Sequence, residues 1–131
     1  MEIIQKSALL HIKNRRLLCA RTKGQEIFYQ VGGKPEPGET AEEALIRETR
    51  EEIRVEIDPE SVELFGVFTA TFLHDASKYV EIKAFFADFT GTPTPGGEIA
   101  ELGWLTSAEA SLLPPAGQDI IKALVVKDLI D

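Results

Sequence analysis

The pattern of elements along the chain points to an α/β domain built on a mixed sheet with helices on both faces. Three observations carry that assignment. Strand-like segments lie on both sides of one strongly marked helix that begins near Thr40, an amphipathic helix follows the last strand, and 131 residues suffice for one core but not two. Residues 1–131 therefore read as one domain, with no internal repeat, low-complexity segment or dividing linker.

The elements follow in order. An apolar stretch within Ile3 to Ile12, the polar turn Lys13-Asn14-Arg15-Arg16 and the apolar run from Arg16 to Arg21 predict a hairpin. Gly24 marks a loop, and Ile27 to Val31 predicts a strand that feeds Gly32-Gly33. Pro35, Pro37 and Gly38 cannot sit in a helix interior, whereas Thr40 followed three residues later by Glu43 is a capping-box pattern. Val55 and Ile57 alternate with Glu56 and Asp58, and Pro59 breaks that run. Val62 to Phe72 predicts a strand with a bulge at Gly66, Leu73 to Lys78 a polar connection, and Tyr79 to Phe89 a central strand. Thr90 to Gly97 is a loop, Ile99 to Leu105 a strand, and Ser107 to Leu113 a short helix capped by Thr106 or Ser107 and ended by Pro114-Pro115. Apolar residues at Ile120, Ile121, Leu124, Val125 and Leu129 predict an amphipathic helix over Ala116 to Ile130.

The helix after Thr40 carries charge where a plain helix keeps an apolar face. Glu48 and Glu52 fall near the direction of Ala41 and Leu45, and Glu51 flanks them, so three carboxylates converge on one edge. Arg47 is four residues from both Glu43 and Glu51 and can hold Glu51 as an i,i+4 pair. Read plainly, this is a solvated acidic face with intrahelical ion pairs. Crowded carboxylates beside apolar neighbours repel and lose hydration, however, and hard oxygen donors of this kind suit Mg²⁺ or Mn²⁺ with substrate phosphates completing the shell.

Composition limits the partners. With 14 basic and 22 acidic residues the net charge is −8, and no Lys/Arg cluster interrupts it, which argues against a nucleic-acid polymer. The single Cys19 lies in an apolar run, excludes an internal disulfide and reads as a buried side chain in a reducing compartment. Met1-Glu2 is acidic and Ser7 to Ile12 is too short to span a bilayer, so the expectation is a cytoplasmic protein with no membrane partner.

The segment Gly33 to Val55 resembles the Nudix box, G-x5-E-x7-R-E-U-x-E-E-x-G-U with U a bulky aliphatic residue. Gly33, Glu39, Arg47, Glu48, Glu51, Glu52 and Val55 stand at the matching positions. Thr49 departs where an aliphatic is usual and Arg54 where glycine is, so Arg54 is expected to end the helix in a left-handed conformation. Val31 stands where relatives often have proline. The resemblance implies an α/β/α sandwich in which the box forms loop, helix and loop, and a pyrophosphohydrolase that cleaves a nucleoside diphosphate linked to another moiety. It implies Mg²⁺, with Mn²⁺ as a substitute, held by Glu48, Glu51, Glu52 and the carbonyl of Gly33, while Arg47 orients Glu51 and Glu39 supports Arg47 from further away. It also implies a glutamate outside the box, Glu98 in preference to Glu101, with Glu48 and Glu98 both open as the general base, and it allows a homodimer.

Three further readings concern the substrate. Arg21, Lys23 and Lys34 are within reach of its phosphates, although each also suits a plain surface cation. Phe28, Tyr29, Phe72 and the 73–78 segment are placed to select its base or sugar, although core packing explains the aromatics equally. The neighbours His74 and Asp75 suggest base chemistry only weakly, with no nucleophile beside them. Two alternatives remain from other classes: a Nudix-fold module that binds a nucleotide without hydrolysing it, and an isoprenoid diphosphate isomerase, which would need Cys19 in the pocket.

Overall fold

A computed structural model describes residues 2–72 and 75–131. The first half of the chain forms β1 (Glu2–Leu10), β2 (Ile12–Lys13), β3 (Arg16–Thr22), β4 (Phe28–Gln30), β5 (Gly32–Gly33) and α1 (Ala41–Ile53). The second half forms β6 (Glu56–Ile57), a 3₁₀ turn at Pro59–Ser61, β7 (Glu63–Phe72), β8 (Asp75–Phe86), β9 (Phe89–Thr90) and β10 (Ile99–Leu105). A 3₁₀ helix at Ser107–Leu112 and α2 (Pro115–Val126) follow. One sheet has the order β5-β1-β8-β7 and is mixed, because β1 runs parallel to β8 while its other pairs are antiparallel. A second antiparallel sheet runs β10-β3-β2 with β4 also on β3, and β6 pairs β9.

The unbroken apolar runs in β1 and β3 are explained by burial on both faces. Ala8, Leu10, Leu17 and Cys19 pack with Ile120, Ile121 and Leu124 of α2, whereas Leu9, Leu18 and Ala20 pack with Leu45 and Ile53 of α1. Helices thus cover opposite sides of shared strands, the α/β architecture expected. Burial lifts the Cys19 thiol to about 12, which makes it an inert core group and removes the isomerase reading. Among the described residues no helix is long and apolar enough to cross a membrane.

Several expectations need correction. The hairpin before Arg21 is confined to Ile12–Lys13 against Arg16–Leu17, because the chain changes sheets at His11 and β1 pairs β8 instead. His11 sits at that switch with its ring centroid 4.5 Å from that of Phe89 and 5.7 Å from that of Trp104. The connection read over 73–78 is strand from Asp75 onward, since pairing to β1 and β7 overrides a polar composition. His74 lies outside the described residues. Finally, α2 ends at Val126 rather than Ile130. Asp128 takes a φ of 59°, and this turn returns Ile130 to the core, where Ile130 is 1 % exposed.

Other expectations hold. The register shifts between Leu64 and Gly66, β8 is an interior strand, and Thr106 forms a capping box with Glu109. Arg54 has φ 59° and ψ 37°, the left-handed ending foreseen for a non-glycine residue, at a cost of about 1 kcal/mol.

Thr49 stands at a fully buried position of α1, and its hydroxyl has no hydrogen-bond partner among the described residues. Replacing it with an isosteric apolar group removes a desolvated polar atom without leaving a cavity. Thr49→Val is therefore expected to raise the unfolding free energy by about 1 kcal/mol in urea denaturation, at an unchanged m-value.

Candidate active site

The site begins with the loop that enters α1. Glu39 N–H donates to Glu36 O at 2.9 Å while Glu36 N–H donates to the Glu39 carboxylate at 2.9 Å, which closes a tight turn around Pro37-Gly38. Thr40 then caps the helix: its hydroxyl accepts from Glu43 N–H at 3.1 Å and its own N–H donates to Glu43 at 2.9 Å. The Ser7 hydroxyl donates to Ala41 O at 2.7 Å and ties β1 to the start of the helix.

Arg47 binds this loop to the helix. Its Nε and Nη2 each donate to the Glu39 carboxylate at 2.9 Å, Nη2 donates to Lys34 O at 3.0 Å, and Nη1 donates to Glu48 at 2.8 Å. Glu51 lies 3.6 Å from Nη1. The expected i,i+4 ion pair with Glu51 is present, but the order of partners is reversed, with Glu39 bidentate and Glu51 the more distant. The reason is that the turn at 36–39 folds back over the helix and offers a two-oxygen target matched to the guanidinium fork. The fork holds the Glu39 carboxyl down at about 2, and Glu39 first, then Glu48, raises the already high pKa of Arg47.

Glu48 and Glu52 lean against β5. A Cβ on Gly33 would lie 2.5 Å from the Glu48 carboxyl carbon, so only glycine lets that carboxylate approach the strand so closely. Gly32 N–H donates to Glu52 Oε1 at 3.1 Å. Glu52 is half-buried, and burial first, with the charges of Glu48 and Glu51 behind it, pushes its pKa up to about 7 against the pull of the Gly32 N–H and Lys6. Glu51 is exposed on the same edge.

The C-terminal end of α1 is closed by the loop before β10. Thr94 N–H donates to Ile53 O and Gly96 N–H to Glu52 O, both at 2.9 Å, which satisfies carbonyls the helix leaves open. Glu98 follows this loop, exposed, with its backbone carbonyl accepting from Lys23 N–H at 2.8 Å. No contact joins its carboxylate to Glu48, Glu51 or Glu52 among the described residues. Glu101 is engaged elsewhere, accepting from Arg21 Nε at 2.7 Å. Arg21 is accordingly a structural cation and not a free phosphate ligand.

Beside Glu52 a cavity of about 300 Å³ opens between the two sheets. Tyr29 and Phe72, foreseen as pocket residues, line it; Phe28 packs against the α2-side core. The sequence reading missed Lys6, Gln30 and the Pro114–Ala116 segment on the cavity wall. A signal for Lys6 was present: it interrupts the alternation Ile4, Lys6, Ala8, Leu10 on an otherwise apolar face of the strand.

The model of the NUDIX domain matches residues 5–127. The chain belongs to the Nudix family. Solved structures agree with this Nudix chain over nearly its whole length. The E. coli ORF135 protein is 26% identical with a TM-score of 0.77, covering 96% of this chain and 91% of that one. A nudix hydrolase family member described as putative, from Chromobacterium violaceum, is 21% identical with a TM-score of 0.77, covering 95% and 78%. A MutT structure from work on Aliivibrio salmonicida and Vibrio cholerae is 21% identical with a TM-score of 0.73, covering 96% and 99%. Sequence comparison with curated proteins finds no match. The Nudix chain is thus a hydrolase of phosphoric anhydride bonds, of the general pyrophosphohydrolase class, in a family that generally uses a divalent metal.

The residues present fit such a metal. Among the described residues no three His, Cys, Asp or Glu side chains are grouped to hold a metal ion, so the convergence of Glu48, Glu51 and Glu52 expected from helix spacing is not found, but Mg²⁺ takes only one or two carboxylates when substrate phosphates and water complete its shell. Glu48 and Glu52 beside the Gly32–Gly33 strand supply hard oxygen donors of that number, and a cation there offsets the burial and, behind it, the carboxylate repulsion that raise the pKa of Glu52.

The sign of the pH effect follows. Glu52 titrates at about 7 in the fold, above its ordinary 4.5, so the folded state holds the proton longer and stability falls as pH rises from roughly 4.5 to 7. Without metal, Glu52→Gln is expected to be more stable than the wild type at pH 8, by an amount on the order of 1–3 kcal/mol, and equal to it at pH 4. Chemical denaturation at the two pH values checks this.

Proposed function

We propose that the chain is a Mg²⁺-dependent pyrophosphohydrolase acting on a nucleoside diphosphate linked to another moiety, a nucleoside triphosphate being the simplest case, with Mn²⁺ as a substitute ion. The observation that carries this reading is the juxtaposition of Glu48 packed on Gly33 with Glu52, Gly32 and Gly33 in the wall of a nucleoside-sized space also lined by Tyr29 and Phe72. The MutT proteins among the structural neighbours support the direction of the reading.

The packing of Glu48 on Gly33 and of Glu52 on the Gly32 N–H supports the following roles. Glu48, Glu51, Glu52 and the carbonyl of Gly33 would hold the ion, with Glu98 as a further ligand from the loop. A bound divalent ion supplies charge neutralisation along the diphosphate and lowers the pKa of coordinated water. Glu48 or Glu98 takes the proton of the attacking water as its oxygen bonds to phosphorus, and the bond to the leaving phosphate oxygen breaks. Arg47 positions Glu48 through one hydrogen bond and fixes the loop through Glu39. It works through these residues and touches no reacting atom. Of the two outer glutamates, Glu98 is preferred because Glu101 is occupied by Arg21. The substrate is a small nucleotide and not a nucleic-acid polymer, in keeping with the net charge of −8. A cytoplasmic setting and assembly as a homodimer complete the proposal, the first supported by the buried free thiol of Cys19.

The test is phosphate or pyrophosphate release from nucleoside triphosphates, nucleotide sugars, dinucleoside polyphosphates and coenzyme derivatives, each with Mg²⁺, Mn²⁺ or EDTA. Release is expected with metal and not with EDTA. Glu48→Gln and Glu52→Gln are each expected to lower kcat by about 100-fold or more, and Glu98→Gln to cost more than Glu101→Gln. Silence across the panel with metal binding intact would favour a non-hydrolytic binding module.

A further inference from the structure

Lys6 is an anomaly in the cavity wall. It lies in β1 opposite Ile82, one residue from Ser7, the strand partner of Gly33, and its side chain lines the same cavity as Glu52. The ammonium sits 5.3 Å from the Tyr29 ring centroid and 5.8 Å from that of Phe72. No Asp or Glu oxygen lies within 4 Å of it among the described residues, although acidic residues outnumber basic ones 22 to 14.

The choice of neighbours matters. A carboxylate would fix the lysine and cancel its charge, whereas aromatic faces hold a cation in place and leave the charge available. Burial first, and then the charge of Lys34, press the Lys6 ammonium below the ordinary lysine range, with Glu52 opposing them. The like charges of Lys6 and Lys34 are relieved by an anion bound at Lys6. A diphosphate linkage, with one negative charge on each phosphate, is such an anion.

We propose that Lys6 is a substrate-binding residue that donates a hydrogen bond to a non-bridging oxygen of the diphosphate, held ready for it by the rings of Tyr29 and Phe72. This rests on the reading of the site as one for a diphosphate, and it deepens that reading. Lys6 neither attacks nor takes a proton. It fixes the phosphate from β1, across the cavity from Glu52 of α1.

The experiment is isothermal titration of wild type, Lys6→Met and Lys6→Arg with two probes in Mg²⁺ buffer: inorganic pyrophosphate and an α,β-methylene nucleoside triphosphate that cannot be cleaved at that position. Methionine keeps the apolar stem and removes the charge, and thermal unfolding of each variant verifies the fold. Lys6→Met is expected to bind both probes about 10- to 100-fold more weakly at a melting temperature close to wild type, with Lys6→Arg within a few-fold of wild type. Equal binding by Lys6→Met and wild type overturns the proposal, as does a wild type that binds neither probe. If the wild type binds pyrophosphate through Lys6 yet cleaves no nucleotide, the anion site stands and the nucleotide reading falls.

Discussion

Glu48 can lie against the body of the protein only because Gly33 has no side chain, and Glu52 lies beside it on the Gly32 N–H. A side chain at Gly33 would occupy the space of the Glu48 carboxyl group, and the Gly32 N–H is the donor that Glu52 accepts from. This close approach puts charge where the fold would otherwise place apolar contact, and most of the surrounding structure answers to it. The capping box fixes where α1 starts, Ser7 ties that start to β1, and the loop through Thr94 and Gly96 fixes where the helix ends. The helix is held at both ends so that its acidic edge cannot slide off the strand.

Two cationic devices flank that edge and differ in purpose. Arg47 is saturated: its guanidinium binds Glu39 bidentately, reaches Glu48 and takes the Lys34 carbonyl, so its charge is spent inside the protein. Lys6 is held by rings and keeps its charge for a ligand. An acidic protein that handles phosphates needs both, since neutralising every cation internally would leave the anionic substrate facing a surface of its own sign.

Much of this was legible in the sequence where spacing fixes chemistry. The box residues, the capping box, the left-handed Arg54 and the bulge near Gly66 depend on local pattern, and local pattern survives folding. What was lost depends on long-range pairing. Apolar runs in β1 and β3 announce strands buried on both faces, but burial on both faces says nothing of which neighbour each takes, so the sequence suggests a longer hairpin where the chain changes sheets. Treating α1 as an isolated helix gave Arg47 to Glu51 four residues on, whereas the preceding loop returns Glu39 to it across eight residues. The polar composition of 75–78 hid a strand start that cross-strand pairing imposes, and Leu129 continued a helical period past a turn at Asp128. Lys6 was visible as a break in alternation, but its meaning required Tyr29 and Phe72 to be brought beside it.

Central to the proposed function is a divalent cation at the carboxylate edge of α1. Mg²⁺ titration in buffers of different ionisation enthalpy measures both binding and the protons released with it. Because Glu52 is held at about 7, binding at pH 6.5 should release roughly half a proton or more, and at pH 8.5 almost none. Proton release independent of pH, or no Mg²⁺ binding at either pH, would contradict it.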